Sequence, residues 1–165
     1  MGVKITIFDT QYKKHLIPLI ADFRVVLTGL KGNNKIPDLL EAKNELEDYL
    51  GRNYKIFLAK NDLGKLLGYC VCKYEPDVVW LESIYVIPEV RGSSIAENLF
   101  KKAEEFSNDH GSETLYIWIH PNNIPMISFL RKQNYNVLNL IEVRKKRSKE
   151  ILTSKIQVNN EFFDY

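Results

Sequence analysis

Leu81-Glu82-Ser83-Ile84-Tyr85-Val86-Ile87-Pro88-Glu89-Val90-Arg91-Gly92-Ser93-Ser94-Ile95-Ala96 is the stretch that decides the fold. It reads as a strand, a proline-bearing turn and the start of a helix opened by small residues. The first turn of a helix leaves backbone N–H groups unpaired, and the dipole there favours an anion. Gly92, Ser93 and Ser94 lack bulk, so a phosphate group can approach those amides. Arg91 adds a charge-assisted donor at the rim. From its residues alone the segment is either a pyrophosphate cradle or a helix capped by small residues.

Working outward, residues 3–8 alternate as a strand, and residues 11–30 carry apolar side chains at helical spacing from Leu16 to Leu30. Pro18 inside that pattern predicts that the helix begins or bends there. Pro37 opens a second helix with Leu39, Ala42, Leu46, Tyr49 and Leu50 inward, and Gly51 stops it. Residues 54–60, 66–74 and 78–87 read as three strands, the first two joined by a turn at Asn61-Asp62-Leu63-Gly64. A helix follows from Arg91 with Ile95, Leu99, Ala103 and Phe106 on one face. Then come a buried strand over 114–119, a helix over 123–132, a strand over 136–144 and a last strand over 155–163 pairing with it. The basic run 144–149 between them reads as a solvated hairpin tip, the other reading being a patch for an anionic partner. The order predicts an α/β (α+β) architecture, a mixed sheet with helices on both faces.

The chain has 165 residues, which favours one domain over residues 1–165. A net charge of +2 argues against a nucleic-acid partner. No apolar run approaches the roughly 20 residues that span a bilayer, which argues against a membrane protein. The start, Met1-Gly2-Val3-Lys4-Ile5-Thr6, lacks signal-peptide architecture. It fits a loose myristoylation pattern, but the alternation of Val3, Ile5 and Ile7 reads as a first strand. Cys70 and Cys72 stand two apart on one strand face and cannot easily bridge. They read as core thiols of a cytoplasmic protein rather than as a redox or metal pair.

The cradle resembles motif A of the GNAT N-acetyltransferase superfamily, an Arg/Gln-x-x-Gly-x-Gly/Ala core after a strand. Arg91-Gly92-Ser93-Ser94-Ile95-Ala96 matches with Ser94 at a glycine position. Asn123-Ile124-Pro125-Met126-Ile127-Ser128-Phe129-Leu130-Arg131-Lys132-Gln133-Asn134-Tyr135 resembles motif B, with Asn134 in place of a glycine. Asparagine is the next residue best able to adopt the left-handed conformation. The resemblance implies a GNAT-type, mainly antiparallel twisted sheet of about seven strands with about four helices. It implies acetyl-CoA as cosubstrate, no metal, and an amine acceptor on a small molecule or a protein, with a homodimer left open. The pantetheine arm would pair with backbone around Ile84, Tyr85 and Val86. The pyrophosphate would lie on Arg91, Gly92, Ser93, Ser94, Ile95 and Ala96, and Asn123 would contact the pantetheine or thiol end.

For catalysis, members of the family commonly use a carboxylate or histidine on the fourth or fifth strand as base. Glu82 lies four residues before Val86, on the strand face of Ile84 and Val86, among apolar neighbours. Its alternative is a structural ion pair or an exposed strand end. His120 is the second candidate, its alternative being a strand-end cap. The tyrosine the family uses as acid is Leu130 here, and Tyr85, Tyr116 and Tyr135 are replacements that nothing ranks. Trp118 stands where several protein N-terminal acetyltransferases carry Glu or His. Leu130 and Trp118 keep open an inactive acyl-CoA-binding sensor or interaction module.

Overall fold

The computed structural model describes residues 2–165. Contacts divide the chain into two compact units, one ending at Phe129 and one spanning Leu130–Tyr165. The first opens with β1 (Val3–Ile7), the predicted first strand. Asp9 accepts from the Gln11 N–H and starts a short 3-10 turn, from which α1 (Lys13–Gly29) continues. Pro18 neither begins nor stops α1, which runs through it from the preceding turn. Asp38, not Pro37, caps α2 (Leu39–Leu50), its carboxylate accepting from the Glu41 N–H at 2.9 Å.

The sheet runs in the order β1-β2-β3-β4-β5, with β2 (Tyr54–Asn61), β3 (Leu66–Glu75), β4 (Val78–Val86) and β5 (Leu115–Ile117). The first three pairings are antiparallel. Asn61 sets the β2–β3 turn by accepting from the N–H groups of Leu63 and Lys65, and Gly64 supplies the left-handed residue (φ +78°). β4 and β5 are parallel, and parallel neighbours need a crossover; α3 (Ile95–Asp109) provides it. β5 is shorter than the predicted 114–119.

Alternation along the strands divides the core. Ile56, Leu58, Tyr69, Val71 and Tyr85 pack with Leu16, Ile20, Leu46 and Tyr49 of α1 and α2. On the other face Phe57 meets Phe106 of α3 edge to face, and Cys70 lies against the Leu99 carbonyl. Cys70 and Cys72 are buried and unbridged, as read, and burial pushes the Cys70 thiol up.

α4 (Ile124–Lys132) crosses from one unit into the other. Asn134 closes it at φ +65°, the left-handed role expected of it, while the Tyr135 N–H returns to the Leu130 carbonyl. The second unit holds one two-stranded ladder, β6 (Lys155–Val158) against β7 (Glu161–Asp164), turning through Asn159 at φ +54°. Among the described residues seven strands are present, but in sheets of five and two. The predicted strand over 136–144 is irregular, and the predicted last strand is itself a hairpin. Val137-Leu138 and Leu140-Ile141 are adjacent apolar pairs, so no single face gathers them as period-two alternation would. The basic run is therefore not a hairpin tip. It is exposed irregular chain, bracketed by a two-pronged ion pair from Arg144 to Glu150 that holds the Glu150 carboxyl down at about 2.

Candidate active site

The site begins where two strands stop pairing. The β4–β5 ladder joins Val79 to Leu115, Trp80 to Tyr116 and Leu81 to Ile117, and ends there. β4 continues to Val86 with β3 on one side and, among the described residues, no strand on the other. The Ile87 N–H donates to the Leu67 carbonyl at 3.0 Å, so the backbone of Ile87 faces β3. Alternation then turns the N–H and C=O groups of Val86 and Ile84 to the parted side, and those of Tyr85 to β3.

Arg91 occupies part of that edge. Its Nε donates to the Val86 carbonyl at 2.9 Å, and its guanidinium lies over the Tyr85 ring, 5.4 Å from the centroid. The Tyr85 phenol is raised, first by burial and then by the charge of Asp22. Beyond Arg91 the chain makes the turn that opens α3. Gly92 sits at φ +77°, a left-handed conformation that suits glycine, and nothing lies within 4 Å of where a Cβ would stand. Ser93 Oγ donates to the Val90 carbonyl at 2.6 Å. Ser94 precedes the helix without a side-chain cap bond, so the first-turn amides from Ile95 onward keep the unpaired character of a helix start. Residues 91–94 are exposed. Glu97 is the acidic residue of that first turn. An open turn, uncapped amides, a guanidinium and a free backbone edge leading into them fit a pyrophosphate followed by an amide-bearing arm, the chemistry of coenzyme A.

Glu82 is placed by a bulge. Val71 pairs with Ser83 but Cys72 pairs with Leu81, so Glu82 is the extra residue of β4. This corrects the reading that sets it on the face of Ile84 and Val86 among apolar neighbours. Ser83 lies opposite Val71 on the α1–α2 face, and burial raises the phenols of Tyr49 and Tyr54 on that face, with the Glu82 charge adding to it. Glu82 is exposed and makes no ion pair among the described residues, which removes both burial and a structural ion pair as its explanation.

His120 and Asn123 lie together in the turn between β5 and α4. The Asn123 N–H donates to the His120 carbonyl at 2.8 Å, and Asn123 Oδ1 accepts from the Met126 N–H to cap α4. The Asn122 N–H donates to His120 Nδ1 at 3.3 Å, which places the ring proton on Nε2. The neighbouring Asn122 side chain donates to the Leu30 carbonyl at the end of α1. Burial, then the charge of Lys31, lowers His120 below the usual imidazole value and favours the neutral ring. Leu130 is buried.

Two features escape a sequence reading. One is the Arg24–Glu45–Tyr49 network between α1 and α2, in which both the guanidinium and the phenol donate to Glu45. It carries Arg24 and Tyr49 far upward, Arg24 by its bond to Glu45 and Tyr49 by burial. The other is a pair of buried hydroxyls, Tyr69 Oη and Ser83 Oγ, near enough to act on one another yet closing no hydrogen bond. A cavity of about 320 Å³ lined by Arg52, Tyr54, Lys73 and Glu75 opens at the start of β4, the end opposite the cradle.

The model of the Acetyltransferase (GNAT) family matches residues 28–135, which takes in both strands of the parted edge, the cradle and α4. Solved structures share the fold. A ribosomal-protein-alanine N-acetyltransferase from Brucella melitensis biovar Abortus 2308 is 19% identical, covering 89% of this chain and 99% of its own, with a TM-score of 0.65. An aminoglycoside acetyltransferase from an uncultured soil metagenomic sample, in complex with sisomicin, is 18% identical, covers 89% and 97%, and has a TM-score of 0.67. AAC(6')-Iy, in complex with the bisubstrate analogue CoA-S-monomethyl-acetylneamine, is 18% identical, covers 89% and 99%, and has a TM-score of 0.65.

Proposed function

We propose, from the premise that this chain belongs to the acetyltransferase (GNAT) family, that it transfers an acetyl group from acetyl-CoA to a primary amine of a small molecule or protein. Membership makes it an acyltransferase. The observation that carries the donor is the parted edge of β4 running into the Arg91 cradle. Ile84 and Val86 supply the backbone groups for the pantetheine arm, and residues 91–96 hold the pyrophosphate. Asn123, whose carbonyl oxygen caps α4, keeps its amide nitrogen as a donor for the thioester end. The amine class is supported by the neighbours, a ribosomal-protein-alanine N-acetyltransferase and an aminoglycoside acetyltransferase. The free thiols of Cys70 and Cys72 support a cytoplasmic setting.

Acetyl-CoA supplies an activated acyl group: the amine nitrogen bonds to its carbonyl carbon, the C–S bond breaks, and coenzyme A leaves as thiolate. Glu82 receives the proton the amine gives up, directly or through a water, from its place where β4 and β5 part. His120, held neutral, is the second candidate for that proton.

Titration calorimetry with acetyl-CoA, followed by an amine panel read by thiol release, tests the proposal. Binding together with amine-dependent thiol release is the expected result. Binding without release on any amine would make the chain an acyl-CoA sensor, and no binding at millimolar ligand would overturn the donor assignment.

A further inference from the structure

Four residues line up straight across the sheet at the parting of β4 and β5. Tyr54 pairs with Lys73, Lys73 with Trp80, and Trp80 with Tyr116. Trp118 follows Tyr116 by two residues and keeps its side of the sheet. The Trp80 ring lies 5.2 Å from Tyr116 and 4.9 Å from Trp118, both at tilted angles. Lys73 is neutralised by Glu75. Trp118 is 81% exposed, so its indole offers a broad face to solvent. Leu81 and Ile117 are the last pair of the β4–β5 ladder, so Glu82 and Trp118 are the first residues of the two strands past the parting. The bulge sets Glu82 beside Ser83, whose partner Val71 lies on the same sheet face as Tyr54.

An exposed carboxylate thus stands at the same strand parting as a row of aromatic rings that ends in the exposed Trp118. The ring faces attract a cation through their quadrupole and cover apolar surface at the same time. A group satisfying both is an organic ammonium attached to a flat apolar body. A polyhydroxylated amine would meet the carboxylate but leave the rings without apolar surface to cover.

We propose that Trp80, Tyr116 and Trp118, with Glu82, form the acceptor platform, and that it selects arylalkylamines over small or sugar-like amines. This rests on the acetyl-transfer reading for its purpose, but its binding chemistry is independent of the donor. Trp80 and Trp118 are the two tryptophans of the chain, so fluorescence excited selectively at tryptophan reports on the platform.

The test titrates the full chain, without acetyl-CoA, with 2-phenylethylamine, n-butylamine and 2-phenylethanol. The aromatic amine should change the fluorescence and bind about fivefold to tenfold more tightly than either of the others. Trp118→Ala should abolish that preference, and Trp118→Phe should keep part of it. Because the side chain is exposed, neither change should lower the melting temperature. Glu82→Gln should bring the amine down to the affinity of the alcohol. Equal binding of all three compounds, or an unchanged preference in Trp118→Ala, would overturn the platform. Calorimetry with acetyl-CoA separates this from the parent reading. Platform binding without acetyl-CoA binding sinks acetyl transfer and leaves the platform. Acetyl-CoA binding with equal turnover of butylamine and phenylethylamine sinks the platform and leaves acetyl transfer.

Discussion

Gly68 stands across the β3–β4 ladder from Val86, and a Cβ on it would fall 2.5 Å from the Tyr85 carbonyl oxygen and 3.2 Å from Val86 Cα. The backbone of Tyr85 therefore approaches β3 more closely than any side chain at position 68 allows. That closeness sets how β4 lies along its free edge. Gly68→Ala should push β4 away, destabilise the fold by about 1–3 kcal/mol, and weaken acetyl-CoA binding together with it. Gly29→Ala is the control, since nothing lies within 4 Å of that position at the end of α1. It should leave stability unchanged or raise it by up to about 1 kcal/mol. Urea denaturation and calorimetry on the two variants check both statements.

Arg91 joins the free edge to the cradle, through Val86 on one side and the opening of α3 on the other. Arg91→Glu removes a charge-assisted donor and adds a like charge beside the pyrophosphate. Acetyl-CoA affinity should fall about tenfold or more. The loss should shrink as salt is raised, because the group is exposed and screened. A loss independent of salt would point instead to collapse of the turn.

The first unit was largely legible because its signals are local. Alternation located β1 to β4, turn residues located the β2–β3 hairpin, and the small residues after Arg91 located the cradle. The bulge at Glu82 was not legible, because it arises from how Val71 and Cys72 pair across the ladder, and no residue within β4 announces it. The platform was hidden for the same reason. Trp80 is far in sequence from Tyr116 and Trp118 and meets them through the parallel register. Residues 136–144 misled because their apolar content suggests a strand while their adjacent pairs favour neither face.

His120 carries a pH signature. Its value is lowered in the folded state, by burial first and by Lys31 second. The unfolded chain then binds a proton more readily than the folded one, so stability rises with pH across this group. Wild type should lose stability as pH falls through the ordinary histidine range, near about 6.5, and continue losing it to the lower folded value. In His120→Gln that part of the slope should disappear. Melting temperatures on either side of that range, compared between wild type and variant, decide the matter. An identical slope in the two proteins would mean that His120 titrates normally.

Glu82 concerns the chemistry itself. Its case as base rests on position, because the bulge leaves it exposed and outside the apolar face. It stands where β4 leaves β5, upstream of the Ile84 and Val86 backbone that would hold the donor arm. Glu82→Gln keeps the shape and the polar contacts but removes basicity. It should lower kcat/KM by about 100-fold while leaving acetyl-CoA affinity within about threefold of wild type, the few-fold change expected when the pyrophosphate cradle is untouched. The split between constants separates two roles. If Glu82 merely anchors the ammonium, KM rises and kcat stays; if it accepts the proton, kcat falls. The residual rate of the variant should climb with pH as free amine appears without help from the protein. An aromatic amine of low basicity, which arrives already neutral, should lose less than an alkylamine does. Wild-type kcat/KM in the variant between about pH 6 and pH 9 would remove Glu82 from proton transfer. His120→Gln would then be measured in the same way, since a neutral imidazole in the turn after β5 is the other base this fold offers.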